Sequence, residues 1–206
     1  MHSILEILDE DPASAGPDLV SLDDLKLALG ITGTDEDAAL QAAITHQSRL
    51  IAEYCDRRFG LAEALETFTF DRGETMPTRQ ALTLSLYPVA DVIEVSIAGA
   101  AFIDYEFDPA TGRLWTENWW TSSIVAVNYS GGYDLPEEAP ARLAQAVIEA
   151  VNGSRLYGDR DPSIREVQHG DTRIAYFTSS LAQTSPGYLS ETVIDLIKPF
   201  RRLHAA

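Results

Sequence analysis

With 206 residues, 45% of them hydrophobic and 23% charged, the chain has the length for one sizeable domain, or a domain with an insertion, and the balance of a soluble globular protein. A formal net charge of −17 argues against wrapping DNA, since such binding rests on Lys and Arg neutralising phosphates, but it suits solubility and equally suits standing beside a duplex that is repelled. One cysteine excludes an internal disulfide and a zinc framework, no run reaches the ~18 apolar residues of a membrane span, and the acidic start MHSILEILDEDP is unlike a signal peptide, so cytoplasmic folding is expected.

Residues 1–20 hold an apolar cluster at Ile4, Leu5, Ile7 and Leu8, followed by the linker-like DEDPASAGPD. The cluster reads either as a short helix that docks on a neighbour or as a frayed tail, the state expected of an isolated chain. A helical pair follows over residues 21–59. Ser21 is a good N-cap, Asp23 and Asp24 suit the positive helix end, Leu22, Leu25, Leu27 and Leu29 are apolar, and Gly30 suits a left-handed C-cap. Thr34 or Asp35 is expected to cap a longer helix whose stripe is Leu40, Ala43, Ile44, Leu50, Ile51, Tyr54 and Cys55, with Gln47 filling one turn. Arg57 and Arg58 are expected at its negative end, with Phe59 folding back onto the core.

Residues 64–130 alternate with period two, at Phe68 and Phe70, at Leu82, Leu84 and Leu86, at Ile93, Val95 and Ile97, and at Val125, Val127 and Tyr129. That pattern predicts antiparallel strands with one inward and one wet face, joined by the turns DRGETMPT, YPVAD, AGAA, DPATG and SGGYD. Leu135-Pro136-Glu137-Glu138 is expected to open a helix reaching about Tyr157, with Leu143, Ala146, Val147, Ala150 and Val151 on one side. Its wide apolar arc suggests a central place between the helical pair and the sheet. EVQHGDTRIAYF reads as a hairpin bent at Gly170 and Asp171, and Ser179 to Gly187 as polar loop. Ser190 is expected to cap a short helix holding Val193, Ile194 and Ile197, stopped by Pro199 and followed by Lys198, Arg201 and Arg202 as concentrated positive charge.

Sites for catalysis are poorly supported. His46 and Cys55 lie nine apart on one helix, hence on opposite faces, and no HExxH, Walker A, GxSxG or GxGxxG motif occurs. Asp35, Glu36 and Asp37 diverge at a helix start and read as dipole partners before they read as cation ligands. Asp104 and Glu106 are placed on one strand face as a carboxylate pair of the kind surface strands carry routinely. Trp115, Trp119 and Trp120 form an unusual cluster, read either as buried hairpin packing or as a subunit contact through Trp119 and Trp120. The sequons at Asn128 and Asn152 matter only on a secreted chain.

The capped LDDLKLALGI helix, the acidic turn, the long helix ending in YCDRRF, the strand–Pro-Val–strand order and a last strand ending in Tyr129, Gly131 and Gly132 together resemble the head–tail connector, or adaptor, proteins of long-tailed phages and gene transfer agents over residues 20–202. Connectors also often end in a short apolar segment and a Tyr/Phe-Arg-Arg pair, here Phe200, Arg201 and Arg202. The resemblance implies an α+β fold: a small helical core (21–62 with 136–158), an inserted antiparallel β region (63–135), a flexible N-terminal arm (1–20), and a hairpin with a C-terminal arm (159–206). It also implies a non-enzymatic structural role without a cofactor: a ring, expected to be a dodecamer, under the portal protein at the head–tail junction of a virion or virion-like particle. That ring would pass DNA without tight binding, dock a stopper or other tail-side protein, and assemble in the bacterial cytoplasm without a membrane. The expected partner-binding residues are Val193, Ile194, Ile197, Lys198, Phe200, Arg201 and Arg202, an apolar anchor beside a cationic tip, with Trp119 and Trp120. Two other readings stay open, a different tail-completion ring such as a terminator or stopper, and a polysaccharide hydrolase using Asp104, Glu106 and the Trp cluster.

Overall fold

The computed structural model describes residues 2–9, 18–70, 81–117, 120, 124–158, 166–169, 172–175 and 189–202. The architecture is α+β, and the chain divides into two units, Asp18–Asp56 with Ala139–Ala206, and Met1–Pro17 with Arg57–Glu138.

The first of these units is helical. Helix α1 (Leu22–Leu29) starts where the Ser21 hydroxyl accepts from the Asp24 N–H at 3.1 Å, and it ends at Gly30, whose φ of 68° only glycine adopts freely. Of its leucines Leu25 is fully buried, whereas Leu27 is 82% exposed. Helix α2 (Asp37–Cys55) begins later than expected, at an N-cap position held by Glu36 with no side-chain bond, in place of Thr34 or Asp35. Its buried stripe is Leu40, Ile44, Ser48, Ile51 and Cys55. The polar member of that stripe is Ser48, where Gln47 was expected, because the Ser48 hydroxyl accepts from the backbone N–H of Leu19 at 3.1 Å and so anchors the incoming chain.

Helix α3 (Ala141–Gly158) buries Leu143, Ala146, Val147 and Val151, as the spacing predicts. It does not start at Leu135-Pro136-Glu137-Glu138. Those residues form a turn closed by the Glu138 N–H on the Asp134 carbonyl at 2.7 Å, and the helix opens on the Pro140 carbonyl, which accepts from Leu143 and Ala144. Helix α4 (Glu191–Ile197) is capped by Ser190, whose hydroxyl accepts from the Val193 N–H at 3.3 Å, and it packs on α3.

The strand unit contains a five-stranded antiparallel sheet in the order β1 (His2–Asp9), β2 (Ala62–Thr69), β8 (Ile124–Gly131), β4 (Val89–Ile97), β5 (Ala100–Ala101). A three-stranded sheet, β3 (Leu82–Thr83), β7 (Arg113–Trp115), β6 (Glu106–Asp108), accompanies it. Residues 2–9 are therefore a strand, not a frayed tail or a helix. Their apolar residues fall on both faces, with Leu5 and Ile7 against the core and Ile4 and Leu8 outside, which hides the period-two signal.

Inward positions of β2, β4 and β8 meet Leu82, Leu84, Leu86 and Leu114 in one core. Only Leu82–Thr83 of the expected leucine strand is a strand, because Ser85 is buried too and the backbone beyond Thr83 turns to bond elsewhere. Gly131 and Gly132 explain the glycines after Tyr129: a Cβ at Gly131 would lie 2.5 Å from the Leu86 carbonyl oxygen, and one at Gly132, at φ 110°, would strike Gly60. Strands β9 (Glu166–His169) and β10 (Thr172–Ala175) pair as the expected hairpin, whose bend at Gly170 and Asp171 lies outside the described residues, as do DRGETMPT and Ser179 to Gly187.

Candidate assembly surface

The positive residues near the C-terminus follow α4 directly. Lys198–Phe200 make one 3-10 turn around Pro199, and Arg201 returns to extended backbone. This segment is stitched to the end of α2. The Arg202 N–H donates to the Cys55 carbonyl at 2.8 Å, satisfying a helix-end acceptor, and the Cys55 thiol donates to the Ile197 carbonyl at 3.8 Å. The Arg201 guanidinium lies 5.7 Å from the Tyr54 ring centroid, within cation–π range.

This placement corrects the expected apolar anchor. Val193 and Ile197 are fully buried within their own unit, so they hold α4 on α3 and are not displayed to a partner. Ile194, Phe200 and Arg202 are half-buried, while Lys198 and Arg201 are exposed. Two cations thus stand at the surface of a strongly acidic chain, on a base fixed by packing.

Arg57 was expected at the C-terminus of α2, but that helix ends at Asp56 in the left-handed conformation, φ 48°. Arg57 belongs to the strand unit, where its guanidinium sits 3.4 Å from the Tyr87 ring centroid and 4.9 Å from that of Phe59, and donates to the Tyr87 carbonyl. Burial of so large a cation is offset by two aromatic faces and that hydrogen bond.

The tryptophans separate. Trp120 is buried in the core of the strand unit, with its ring centroid 5.8 Å from that of Phe102, so it is not displayed as the expected contact. Trp119 lies outside the described residues. Trp115 donates its indole N–H to Glu106 at 3.1 Å. Asp104 is in the loop before β6, so Asp104 and Glu106 do not share a strand face. Likewise Asp37 is paired with Lys26 at 2.6 Å and Glu36 with Arg155 at 2.8 Å, ordinary ion pairs of the helical unit.

Two polar sites went unread in the sequence. Glu66 is fully buried on β2, accepting from the Ser85 N–H at 2.8 Å, the Ser85 hydroxyl at 2.7 Å and the Tyr129 hydroxyl at 2.9 Å. The Tyr129 oxygen in turn accepts from the Ser85 and Leu86 N–H groups, each at 3.1 Å. Burial, and then the neighbouring Glu66 charge, push the Tyr129 phenol far above its ordinary range, so it remains a donor. The available signal was phase: Glu66 occupies the same face as Ala62, Ala64, Phe68 and Phe70. The second is Asp18, whose carboxyl accepts from Gln41 and is held above its ordinary range chiefly by burial, against the lowering effect of hydrogen bonds from Thr45 and Gln41. Both sites are architectural: Glu66 joins strands of one unit, and the half-buried Asp18 joins the incoming chain to α2 of the other.

Among the described residues no group of His, Cys, Asp and Glu could hold a metal ion, and no helix is long and apolar enough to cross a membrane. His46 is exposed and Cys55 buried, so the two are not brought together.

No curated protein sequence matches the chain. The fold is similar to a chain in the neck of an empty gene transfer agent particle, computed with C6 symmetry, at 17% identity and TM-score 0.54, covering 98% of this chain and 97% of that one. A chain in the neck of the native particle, computed with C12 symmetry, gives 16% and 0.51 with the same coverages. One in the virion of the native gene transfer agent gives 15% and 0.53. At these identities the likeness establishes a shared fold. The sequence model of head completion proteins matches residues 18–161, which takes in the helical pair, the strand region and α3, and the chain belongs to the head completion protein family.

Proposed function

We propose that copies of this chain form a ring of twelve beneath the portal protein, at the head–tail junction of a phage or gene transfer agent particle. The ring extends the DNA channel and docks the stopper or another tail-side component, a structural role that needs neither catalysis nor a cofactor. Membership of the head completion family over residues 18–161 carries this reading. Likeness in fold to neck chains over almost the whole length supports it, and the sixfold and twelvefold symmetry of those necks supports the ring.

The net charge of −17 suits a lumen that repels the duplex and lets it slide. Portal contact falls to Lys198, Phe200 and Arg201, the basic tip on the rigid base of α4, where opposite charge on the portal would steer encounter. The decisive experiment is deletion of the gene. Heads that filled with DNA and then leaked, accumulating beside free tails, are expected; normal infectious or transducing particles would overturn the reading.

A further inference from the structure

The five-stranded sheet has two unlike edges. One is β5, only two residues long; the other is β1, eight residues long, with no strand on its outer side among the described residues. In an antiparallel pair, alternate residues of the edge strand turn their N–H and C=O groups away from the partner. Proteins shield such a row with short strands, proline, lysine or a bulge. β5 is shielded by its shortness. β1 has no proline or lysine, and its register irregularity falls between Ile7 and Asp9, which leaves His2 to Ile7 in regular register on β2. Outside, β1 presents Ile4 at 63% and Leu8 at 47% exposure.

The chain also contains a strand pair short of a partner. β9 and β10 form a ladder four residues long that joins no other sheet among the described residues. A lone two-stranded hairpin is marginal in water and gains stability from a third strand. The receiving edge is acidic, with Glu6 and Asp9 on β1. β9 carries Glu166, whereas β10, TRIA, carries Arg173 and no carboxylate. Opposite charges across a ladder stabilise it and like charges weaken it, so β10 is the compatible strand.

We propose that β10 of one copy adds to the free edge of β1 in the next copy, carrying the sheet across the boundary between subunits. Backbone hydrogen bonds supply the affinity, as in other strand additions. The contact joins two different elements, so it is head-to-tail and repeats into a closed ring; in this it rests on the ring reading above.

Particles assembled from chains carrying Ile4→Cys together with a cysteine at each of positions 172–175 in turn test the pairing, with Cys55 left in place because it is fully buried. Mild oxidation followed by non-reducing electrophoresis is expected to give a ladder of linked chains for at least one pair, and none for Ile4→Cys alone. Closed rings seen by negative stain without a ladder would overturn the strand addition while leaving the ring intact. A linked species confined to the monomer would overturn it too, by showing the hairpin on its own chain's edge, and the absence of any ring would sink both readings. Should the cysteine variants fail to assemble, hydrogen exchange on the unaltered chain replaces them. Amides within residues 2–7 are expected to slow by about tenfold or more between the free chain and the particle, and unchanged exchange there would overturn the proposal.

Discussion

The two units of this chain are held together by opposite means. The helical unit is bracketed by local devices: Ser21 and Ser190 cap their own helices three residues on, and Gly30 closes α1 on the carbonyls of Lys26 and Leu27. The strand unit hangs on contacts remote in sequence. Glu66 on β2 reaches Ser85, 19 residues away, and Tyr129, 63 residues away, fastening β8 and the turning backbone at Ser85 to one buried carboxylate, while Tyr129 takes the Leu86 N–H. Local devices fail one helix end at a time, by about 1 kcal/mol each. A shared buried acceptor fails all at once, because every donor aimed at it is left dry.

The largest expected effect therefore lies at Glu66. Glu66→Ala strands the Ser85 N–H and hydroxyl and the Tyr129 hydroxyl, and is expected to destabilise the strand unit by about 4 kcal/mol. Glu66→Gln, which keeps an acceptor oxygen, is expected to lose less than half of that. All three tryptophans lie in Arg57–Glu138, so their fluorescence follows the strand unit, while far-UV circular dichroism near the helical minimum follows the other. A Glu66→Ala transition that shifts equally by both probes would mean that the units do not melt separately, and the contrast between them would fail as a statement about stability.

Next comes the core of the helical unit. Ile197→Ala removes a fully buried side chain between α4 and α3 and is expected to cost about 3 kcal/mol, read by circular dichroism with little change in tryptophan fluorescence. Truncation after Gly187 is expected to destabilise the same unit, since it removes Val193 and Ile197 as well as the Arg202 N–H on the Cys55 carbonyl. A truncated chain with wild-type helical stability would show the segment to be a detachable arm. By contrast, Lys198→Glu with Arg201→Glu is expected to leave melting within a degree or two, because both side chains are exposed, and to abolish co-sedimentation with portal.

The same contrast explains what could be read from the sequence. The α1 caps, the α3 stripe and the start of α4 were legible because each signal lies within a few residues of what it controls. The start of α3 was misread because the acidic LPEE looked like a helix opening, while Pro140, which provides the first helical carbonyl, lay five residues further along. In the strand unit the alternation of β2, β4 and β8 was plain. What escaped were pairings made across the fold: β1 on β2, the buried Ser85, and Glu66 as a deliberate inward acid. The basic tip was legible as composition, but the burial of Val193 and Ile197 beneath it depends on where α3 passes, which no local pattern reports.

A cap tests the local side more gently. Ser21→Ala is expected to cost about 1 kcal/mol, confined to the helical probe, because the Asp24 N–H loses its acceptor at the first turn of α1. A cost several times larger would mean that the helical unit also depends on a shared node.

The smallest effect belongs to a helical-unit site that, like Ser48 on Leu19, is not a local device. Asp18 meets α2 through Gln41 and Thr45, and burial raises its carboxyl above the ordinary value of 3.8. The sign follows from linkage: the folded chain holds this proton more tightly than the unfolded chain. The contribution of Asp18 to stability is thus fully present below 3.8 and is lost as pH rises through the higher folded value. Asp18→Asn is neutral throughout and removes that loss. The variant's melting temperature, relative to wild type, is expected to climb by a degree or two as pH rises above about 4 and then level off once wild-type Asp18 is fully ionised. Any fixed cost of the amide is the same at every pH, so only the slope matters. Parallel curves as pH rises above about 4 would show that Asp18 is solvated like an ordinary surface acid.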